Sequence, residues 1–346
     1  MVAIEEKAPT KWGIVGTGVI ATAFATDLRL VPTAEIVAIG SRAIDSARAF
    51  AERFDIKRSY GSYDDLLADD NVQVVYIATP HAHHHATARA ALEKGKHVLC
   101  EKPFTLDKRQ ADDIITVARS HGLFLMEAMW TRFLPHMRRV RELVAAGAIG
   151  DIRLITADFG ARFEPDASHR LFNSDLGGGA LLDLGIYPLS LSSMLLGPAQ
   201  SVQAIATPTF TGVDASTSML LTHHNGAHSV LACTIDADTP CTAVISGTHG
   251  RIEIDGPFYA PTSFTVHGRS GSERFGFAEE GIGLRHEIEE VGRCLRAGLL
   301  ESSVMPLDET SSIMRTIDTI RRQSMKVSAL AHATHPSDKG ARVCHQ

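Results

Sequence analysis

A glycine-rich turn near the start of the chain constrains the fold more than any other feature of the sequence. The apolar run at residues 12–15 leads into Gly-Thr-Gly-Val-Ile-Ala at residues 16–21, and a helical pattern follows. In such a turn the first glycine permits a tight bend, and the second lets the backbone approach a pyrophosphate. The segment therefore predicts dinucleotide binding, with a plain tight turn as the alternative. The residues expected to contact the cofactor here are Gly16, Thr17, Gly18, Val19 and Ile20.

The first part of the chain alternates short apolar runs with longer helical patterns. This alternation predicts an α/β fold whose N-terminal domain is a Rossmann domain, with a doubly wound parallel sheet. After about residue 150, strand candidates follow one another across hairpin-length gaps, which predicts an α+β domain with a large, mostly antiparallel open sheet. The predicted division is a polar lead-in at 1–10, an NADP-binding Rossmann domain at 11–127, a substrate and oligomerisation domain at 128–328, and a polar tail at 329–346. The C-terminal helix of the second domain is expected to pack back on the first domain.

Composition and charge exclude several classes of function. The chain has 346 residues with 34 Lys and Arg against 40 Asp and Glu, and no basic cluster, so a nucleic-acid partner is not expected. No uninterrupted apolar run reaches 18 residues and the N-terminus lacks an apolar core, so we expect a cytoplasmic protein with no membrane span and no signal peptide. The five cysteines are scattered without a CxxC pair, which indicates reduced thiols and no thiolate metal site.

The end of the second predicted strand indicates which dinucleotide binds. NAD sites usually carry Asp or Glu at this point to hold the ribose 2′-hydroxyl. This chain has Gly40-Ser41-Arg42 instead. Without the carboxylate a 2′-phosphate meets no repulsion, and Ser41 and Arg42 offer it hydrogen bonds and a positive charge. The sequence thus predicts NADP(H). The alternative interpretation is that Arg42 is an ordinary solvated loop residue, in which case NAD is the alternative cofactor.

Four histidines follow the third predicted strand, at positions 81, 83, 84 and 85. Four histidines are enough ligands for a metal ion, but their arrangement does not suit one. At the start of a helix, successive side chains point in different directions, and no second cluster of ligands accompanies these four. We therefore expect no metal, and expect the histidines other than His84 to be solvated. Thr79 and Pro80 end the strand at the carboxyl edge of the sheet, where ligands of doubly wound domains bind.

Several further motifs occur in an order that identifies a family. They are the glycine turn, Ala78-Thr79-Pro80 with His84 after it, Glu101-Lys102-Pro103, and the run Gly177 to Asp183. In this order and spacing the chain, from about residue 11 to 322, resembles the Gfo/Idh/MocA oxidoreductases. The segments 125–133 and 177–187 are similar to its dihydrodiol dehydrogenase and NADP-dependent D-xylose dehydrogenase branch. Many members carry His four residues after the Asp, whereas this chain has Tyr187, which argues against an Asp–His catalytic pair.

The resemblance implies catalytic roles for Lys102, Asp183 and Tyr187. Lys102 would lie between the nicotinamide ribose and the substrate, Tyr187 would exchange the proton of the substrate oxygen, and Asp183 would hold a substrate hydroxyl or orient the lysine. It also implies cofactor contacts from Thr79, Pro80, His84, Glu101 and Lys102.

The residues themselves add three expectations. Partial burial at a strand end would lower the pKa of Lys102 toward neutrality. Asp183 and Tyr187, four apart, share one helix face. Pro188 is expected to bend or break the helix near Leu184, because proline clashes with the carbonyl four residues back. The structural alternatives are a surface lysine, a capping aspartate and a helix tyrosine that has only a packing role.

Candidate substrate contacts lie on three segments, and they are Trp130, Arg132, Arg162, Phe163, Asp183 and Tyr187. Trp130 offers a flat face to a ring, with core packing as the alternative. Arg162 and Phe163 belong to a loop, also containing His169, Arg170 and Phe172, from which some residues are expected to reach the site.

These expectations combine into one function and two alternatives. The chain is expected to be an NADP(H)-dependent enzyme that transfers a hydride between nicotinamide and a carbinol carbon of an aldose or vicinal diol. The alternatives are a sugar oxidoreductase with a tightly bound, recycling NADP(H), and a non-catalytic NADP-sensing protein. The resemblance also implies a homodimer or larger oligomer through the free face of the open sheet.

Overall fold

The computed structural model describes residues 8–334, and it begins with a six-stranded parallel sheet. The strands lie in the order β3-β2-β1-β4-β5-β6. Their bounds are β1 Thr10–Val15, β2 Ala34–Gly40, β3 Arg58–Tyr60, β4 Val74–Ile77, β5 His97–Glu101 and β6 Leu125–Ala128. The strand order reverses between β1 and β4, and this switch opens a crevice at the carboxyl ends of the strands. The predicted Rossmann fold is confirmed.

Helices cover the sheet, which explains why its central strands are apolar without alternation. All four residues of β4 are buried, for example. The helices are α1 Val19–Leu28, α2 Ile44–Phe54, α3 Tyr63–Leu67, α4 His84–Glu93 and α5 Lys108–His121. Both β3 and α3 went unpredicted, because elements of three and five residues are too short to establish a hydrophobic period.

The second sheet has eight strands in the order β14-β13-β12-β11-β7-β10-β9-β8. Only β7 and β10 pair in parallel, so the predicted mostly antiparallel sheet is confirmed. Its strands are β7 Ile152–Gly160, β8 Ala199–Pro208, β9 Asp214–His223, β10 His228–Thr234, β11 Ala243–Gly247, β12 Gly250–Ile254, β13 Phe264–Gly268 and β14 Gly271–Phe275. The remaining helices are α6 Pro135–Ala145, α7 Ile186–Leu196, α8 Arg285–Arg296 and α9 Leu307–Thr334.

A π-helical stretch, Leu181–Gly185, leads directly into α7. Pro188 explains it, since proline has no N–H and its ring displaces the carbonyl of Leu184, and a π-helical turn absorbs the mismatch. The segment Ser174–Leu196 is long and apolar enough to cross a membrane, but 78% of its most apolar window is buried inside the protein. Its apolar character therefore serves the core, where it packs between β7, β9 and β10.

The two domains are joined along α9 and at the end of α1. Helix α9 packs against both β8 and α5, as expected of the C-terminal helix, and Asp318 on α9 accepts a hydrogen bond from the backbone N–H of Lys108 at 3.1 Å. Helix α9 continues to Thr334, beyond the predicted boundary at residue 328. The rest of the predicted tail, residues 335–346, lies outside the described residues, as do residues 1–7 of the lead-in. Buried Asp27 on α1 accepts backbone N–H donors from residues 282–285 and so fixes the segment that precedes α8.

Candidate active site

A cleft of about 630 Å³ lies at the carboxyl ends of β1, β2, β4 and β5, between the two domains. All twelve predicted cofactor residues line it, together with Asp183 and Tyr187. The complete lining is Gly16, Thr17, Gly18, Val19, Ile20, Ala23, Ser41, Arg42, Tyr63, Ala78, Thr79, Pro80, His81, His84, Glu101, Lys102, Arg170, Asp183, Tyr187 and Ile282. The structure thus brings together residues from the first and second predicted domains.

The glycine turn provides a cradle at the N-terminus of α1. Gly16 has φ +107°, and a Cβ there would lie 2.7 Å from the carbonyl oxygen of Ala78, so only glycine fits. A Cβ on Gly18 would meet nothing within 4 Å, because the space beside it is open. This open backbone, next to the free N–H groups of a helix start, matches the shape and charge of a pyrophosphate.

The adenosine end of the cleft is lined by Ser41, Arg42 and Tyr63. Ser41 is buried, while Arg42 is exposed and its guanidinium lies beside the Tyr63 hydroxyl. Tyr63 was missed in the sequence because it lies on the short α3, twenty-one residues after Arg42. Among the described residues that line this end of the cleft, none is a carboxylate.

The histidines after β4 separate into different roles. His84 is fully buried, and its two ring nitrogens contact the carbonyl oxygens of Pro103 at 2.8 Å and Thr79 at 2.9 Å. Burial lowers its pKa from 6.5 to about 4. The expectation that His81 is solvated is wrong, because it is buried with Nε2 3.5 Å from Asp183 and Nδ1 3.0 Å from the carbonyl oxygen of Gly177. Among the side chains of residues 8–324, no three from His, Cys, Asp or Glu are grouped to hold a metal.

The three predicted catalytic residues meet at one point. The Nζ of Lys102 lies 3.0 Å from the backbone oxygen and 3.4 Å from Oδ1 of Asp183, and 4.7 Å from the centre of the Tyr187 ring. Lys102 directly follows β5, Asp183 lies in the π-helical turn, and Tyr187 lies at the start of α7. The spacing of four residues does place Asp183 and Tyr187 on the side that faces Lys102.

The electrostatics of this cluster differ from expectation at Lys102. Burial by itself lowers the pKa of Lys102, but the neighbouring Asp183, Tyr187 and Glu101 outweigh it and raise the pKa above its ordinary value. The expectation of a near-neutral lysine is therefore wrong, and the group is an ammonium ion. Burial opposes ionisation of Asp183, yet the nearby Lys102, His81 and Arg170 hold the pKa of that carboxyl well below its usual range.

Tyr187 is a buried phenol whose hydrogen bonds leave its proton available. Burial raises the pKa of Tyr187, and Lys102 and the hydrogen bond from Trp130 only partly oppose this. The indole Nε1 of Trp130 donates to the Tyr187 oxygen at 3.1 Å. An indole can only donate, so the phenolic O–H is free to donate toward the cleft. Trp130, expected to form a wall of the substrate pocket, thus lies behind Tyr187, where it is 7% exposed.

The other predicted substrate residues do not line the cleft. Arg132 is 2% exposed and donates to Glu309 at 2.7 Å and to Ser190, so it links α9 to α7 in the interior. Arg162 is exposed and pairs with Glu164. Phe163 is half-buried against the hydrophobic core. Of the loop that contains Arg162 and Phe163, the structure brings Arg170 into the cleft instead.

Comparison with known proteins agrees with this architecture. The model of the oxidoreductase family with an NAD-binding Rossmann fold matches residues 10–129, and the GFO/IDH/MocA C-terminal domain matches residues 137–253. The chain belongs to the Gfo/Idh/MocA oxidoreductase family. It is an enzyme of the oxidoreductase class, and the predicted resemblance is confirmed.

Relatives with assigned names lie in the same family. Trans-1,2-dihydrobenzene-1,2-diol dehydrogenases of Mus musculus and Bos taurus are 39% and 37% identical to the chain, over 90% of it and 96% of each relative. Among solved structures, the 3-ketoreductase KijD10 from Actinomadura kijaniata, in complex with NADP and TDP-benzene, is 28% identical with a TM-score of 0.82, covering 91% of this chain and 98% of that one. An aldose-aldose oxidoreductase from Caulobacter crescentus shares the fold, with a TM-score of 0.85 at 23% identity and coverage of 92% and 98%.

Proposed function

We propose that the chain is an NADP(H)-dependent dehydrogenase that transfers a hydride between nicotinamide and a carbinol carbon of a vicinal diol or an aldose. The contact of Lys102 with both Asp183 and Tyr187 in the cleft carries this proposal. The names of the dihydrodiol dehydrogenases support the substrate class, and the NADP bound to the 3-ketoreductase supports the cofactor.

The residues present fit NADP(H). The open backbone at Gly18 would hold the pyrophosphate, and Ser41 and Arg42 would hold a 2′-phosphate without an opposing carboxylate. Thr79, Pro80 and Lys102 line the continuation of the same cleft toward Tyr187. When bound, the nicotinamide accepts or supplies the hydride.

The side chains of this protein handle the proton. In the direction of carbonyl reduction, the free O–H of Tyr187 donates to the substrate oxygen, and the ring of the phenolate left behind has the Lys102 ammonium 4.7 Å from its centre. In the direction of oxidation, the phenolate accepts the hydroxyl proton as the C–H hydrogen leaves as hydride. The positive charge of Lys102 stabilises the anionic oxygen in both directions, which is electrostatic catalysis by a preorganised group.

The test is a spectrophotometric assay of NADPH formation with NADP+ and a panel of vicinal diols and aldoses, repeated with NAD+. We expect turnover with at least one diol or aldose and a preference for NADP+. We expect turnover to be lost in Tyr187→Phe. Turnover that persists in Tyr187→Phe would refute the assigned proton donor. Cofactor binding without turnover in either direction would instead support an NADP sensor.

We also propose a homodimer formed through the open face of the second sheet, in a reducing cytoplasmic setting. This face exposes Leu154, Ile205, Leu220 and Val230 on four neighbouring strands, and Leu220 and Val230 are direct cross-strand partners. Cys100, Cys233, Cys241 and Cys294 are all free and buried. Light scattering after size exclusion should give a dimer, and Val230→Lys should give a monomer. A monomeric wild-type chain would contradict the proposal.

A further inference from the structure

Arg170 is a cleft residue to which the proposed chemistry assigns no role. It lies in a short helical turn, Arg170–Phe172, on the loop between β7 and the glycine run. Its guanidinium donates to both oxygens of Asp183, from Nη1 to Oδ1 at 2.9 Å and from Nη2 to Oδ2 at 3.1 Å. The Arg170 side chain is 46% exposed and the Asp183 side chain 5%, so the pair has one face toward the cleft.

The hydrogen-bond inventory of Arg170 leaves donors without a protein acceptor. A guanidinium has five N–H groups, and the bidentate contact with Asp183 uses two of them. Among residues 8–324, no other atom accepts a hydrogen bond from this side chain. Because Arg170 and Asp183 both line the cleft, these donors are available to a ligand beside Oδ2 of Asp183, which, within the same residues, accepts only from Arg170.

A donor beside an acceptor is complementary to a hydroxyl group. A hydroxyl donates one hydrogen bond and accepts others, so it can donate to Asp183 while it accepts from Arg170. An ether oxygen or an aliphatic carbon cannot make both contacts. The pair lies next to the reacting position, because Lys102 contacts Asp183 at 3.4 Å and the Tyr187 ring at 4.7 Å. A substrate oxygen bound at Tyr187 would therefore place a hydroxyl of the neighbouring carbon within reach of the pair.

We propose that Arg170, together with Asp183, recognises the second hydroxyl of the substrate, on the carbon next to the carbinol carbon. Arg170 is accordingly a specificity-determining residue for vicinal diols and for aldoses with a 2-hydroxyl. This inference rests on the proposed function and deepens it. It also gives the Asp183 carboxylate two tasks, since Oδ1 meets both Lys102 and Arg170 while Oδ2 meets Arg170.

The experiment compares substrates that differ only in that hydroxyl. The pairs are trans-1,2-cyclohexanediol with cyclohexanol, and D-glucose with 2-deoxy-D-glucose for activity on aldoses. The variants are Arg170→Met and Arg170→Lys. The matched control is Arg293→Met on α8, which breaks a similar bidentate ion pair, with Glu290, of an arginine 51% exposed and outside the cleft.

For wild-type protein we expect a higher kcat/KM with the hydroxylated member of each active pair. Arg170→Met should lower kcat/KM for that member by at least about tenfold and leave the deoxygenated member within about threefold, because only one of them uses the lost donors. Arg170→Lys should restore part of the preference, and Arg293→Met should preserve it.

Each contrary outcome identifies what fails. An equal loss with both members in Arg170→Met would show that Arg170 only positions Asp183, which overturns the inference. A wild-type enzyme that is active but does not distinguish the members of a pair would also overturn it, while the proposed function would stand. A wild-type protein that turns over no diol or aldose would refute the proposed function and the inference together.

Discussion

Replacing Lys102 by methionine tests the electrostatic role of its ammonium group. The substitution keeps a side chain of similar length and removes the charge that lies 3.0 Å from the Asp183 backbone oxygen and 4.7 Å from the centre of the Tyr187 ring. Asp183 is not left unpaired, since Arg170 still binds both of its oxygens. We therefore expect the variant to fold and the cleft to persist.

The magnitude follows from Coulomb's law. A unit positive charge about 4 Å from a developing oxyanion is worth roughly 4 kcal/mol at an effective dielectric constant of about 20. Because about 1.4 kcal/mol is a factor of ten in rate, kcat should fall about 10³-fold. The assay is the initial rate of NADPH formation at saturating substrate, with thermal unfolding to verify the fold. A folded Lys102→Met variant that keeps more than a tenth of the wild-type kcat would refute the reasoning.

The pH dependence of the rate separates an ammonium ion from a lysine base. The acidic neighbours of Lys102 raise its pKa above 10.5, so the group stays charged throughout the neutral range. The pKa of Tyr187 is also raised, and the fraction of phenolate therefore increases steadily with pH. Oxidation should accelerate from pH 7 to pH 9 in wild type and, at lower rates, in Lys102→Arg. A rate that levels off near pH 7 would indicate a neutral lysine base instead.

Three further predictions concern the cofactor and the stability of the fold. Arg42→Ala should raise the Kd for NADP+ about 10–100-fold and leave that for NAD+ within about threefold, as measured by fluorescence titration, because only NADP+ presents a phosphate to this guanidinium; equal changes would contradict it. Glu287→Met should raise the free energy of unfolding by about 1–3 kcal/mol in urea titrations, since both Glu287 carboxylate oxygens are buried without a partner. Burial and the nearby Glu101 raise the Glu287 pKa, so Glu287 destabilises the wild-type protein more at pH 8 than at pH 5. The increase in the free energy of unfolding caused by Glu287→Met should therefore be larger at pH 8, and a destabilised variant would contradict this. Burial lowers the pKa of both His84 and His136 from 6.5 to about 4. The stability that each neutral histidine contributes is therefore complete above pH 6.5 and is lost between pH 6.5 and 4, up to roughly 3 kcal/mol each. His136→Gln should reduce the fall in the free energy of unfolding between pH 7 and pH 4.5, and an unchanged fall would contradict the assignment.

The sequence predicted the parts of the site that depend on local chain geometry. The glycine turn, the strand ends at Thr79 and Lys102, and the helical spacing of Asp183 and Tyr187 each follow from a short segment with a regular period. Pro188 similarly predicted a disturbed helix near Leu184, which the π-helical turn realises. In each case the physical cause lies within a few residues of its effect.

The roles of residues that act through distant partners could not be predicted in this way. Arg132 is an interior residue because Glu309, 177 positions later, pairs with it. His81 is buried because the glycine run at Gly177 folds over it and offers a carbonyl acceptor. No period or motif near His81 or Arg132 encodes those partners, so only the folded chain distinguishes a solvated side chain from a buried one.

The position of Asp183 explains how the family scaffold can change substrate while it keeps its chemistry. The contacts of Asp183 with Lys102 and His81 come from the first domain, and those with Arg170 from the β7 loop of the second. The contacts with Lys102 and His81 hold the charged groups beside the reacting oxygen. These two residues follow strand ends of the buried parallel sheet. Arg170 is half-exposed on a loop, where substitutions cost little stability. Selection on that loop can therefore alter which oxygen is recognised beside the reacting carbon, without displacing the phenol proposed to exchange the proton or the ammonium group proposed to stabilise the oxygen.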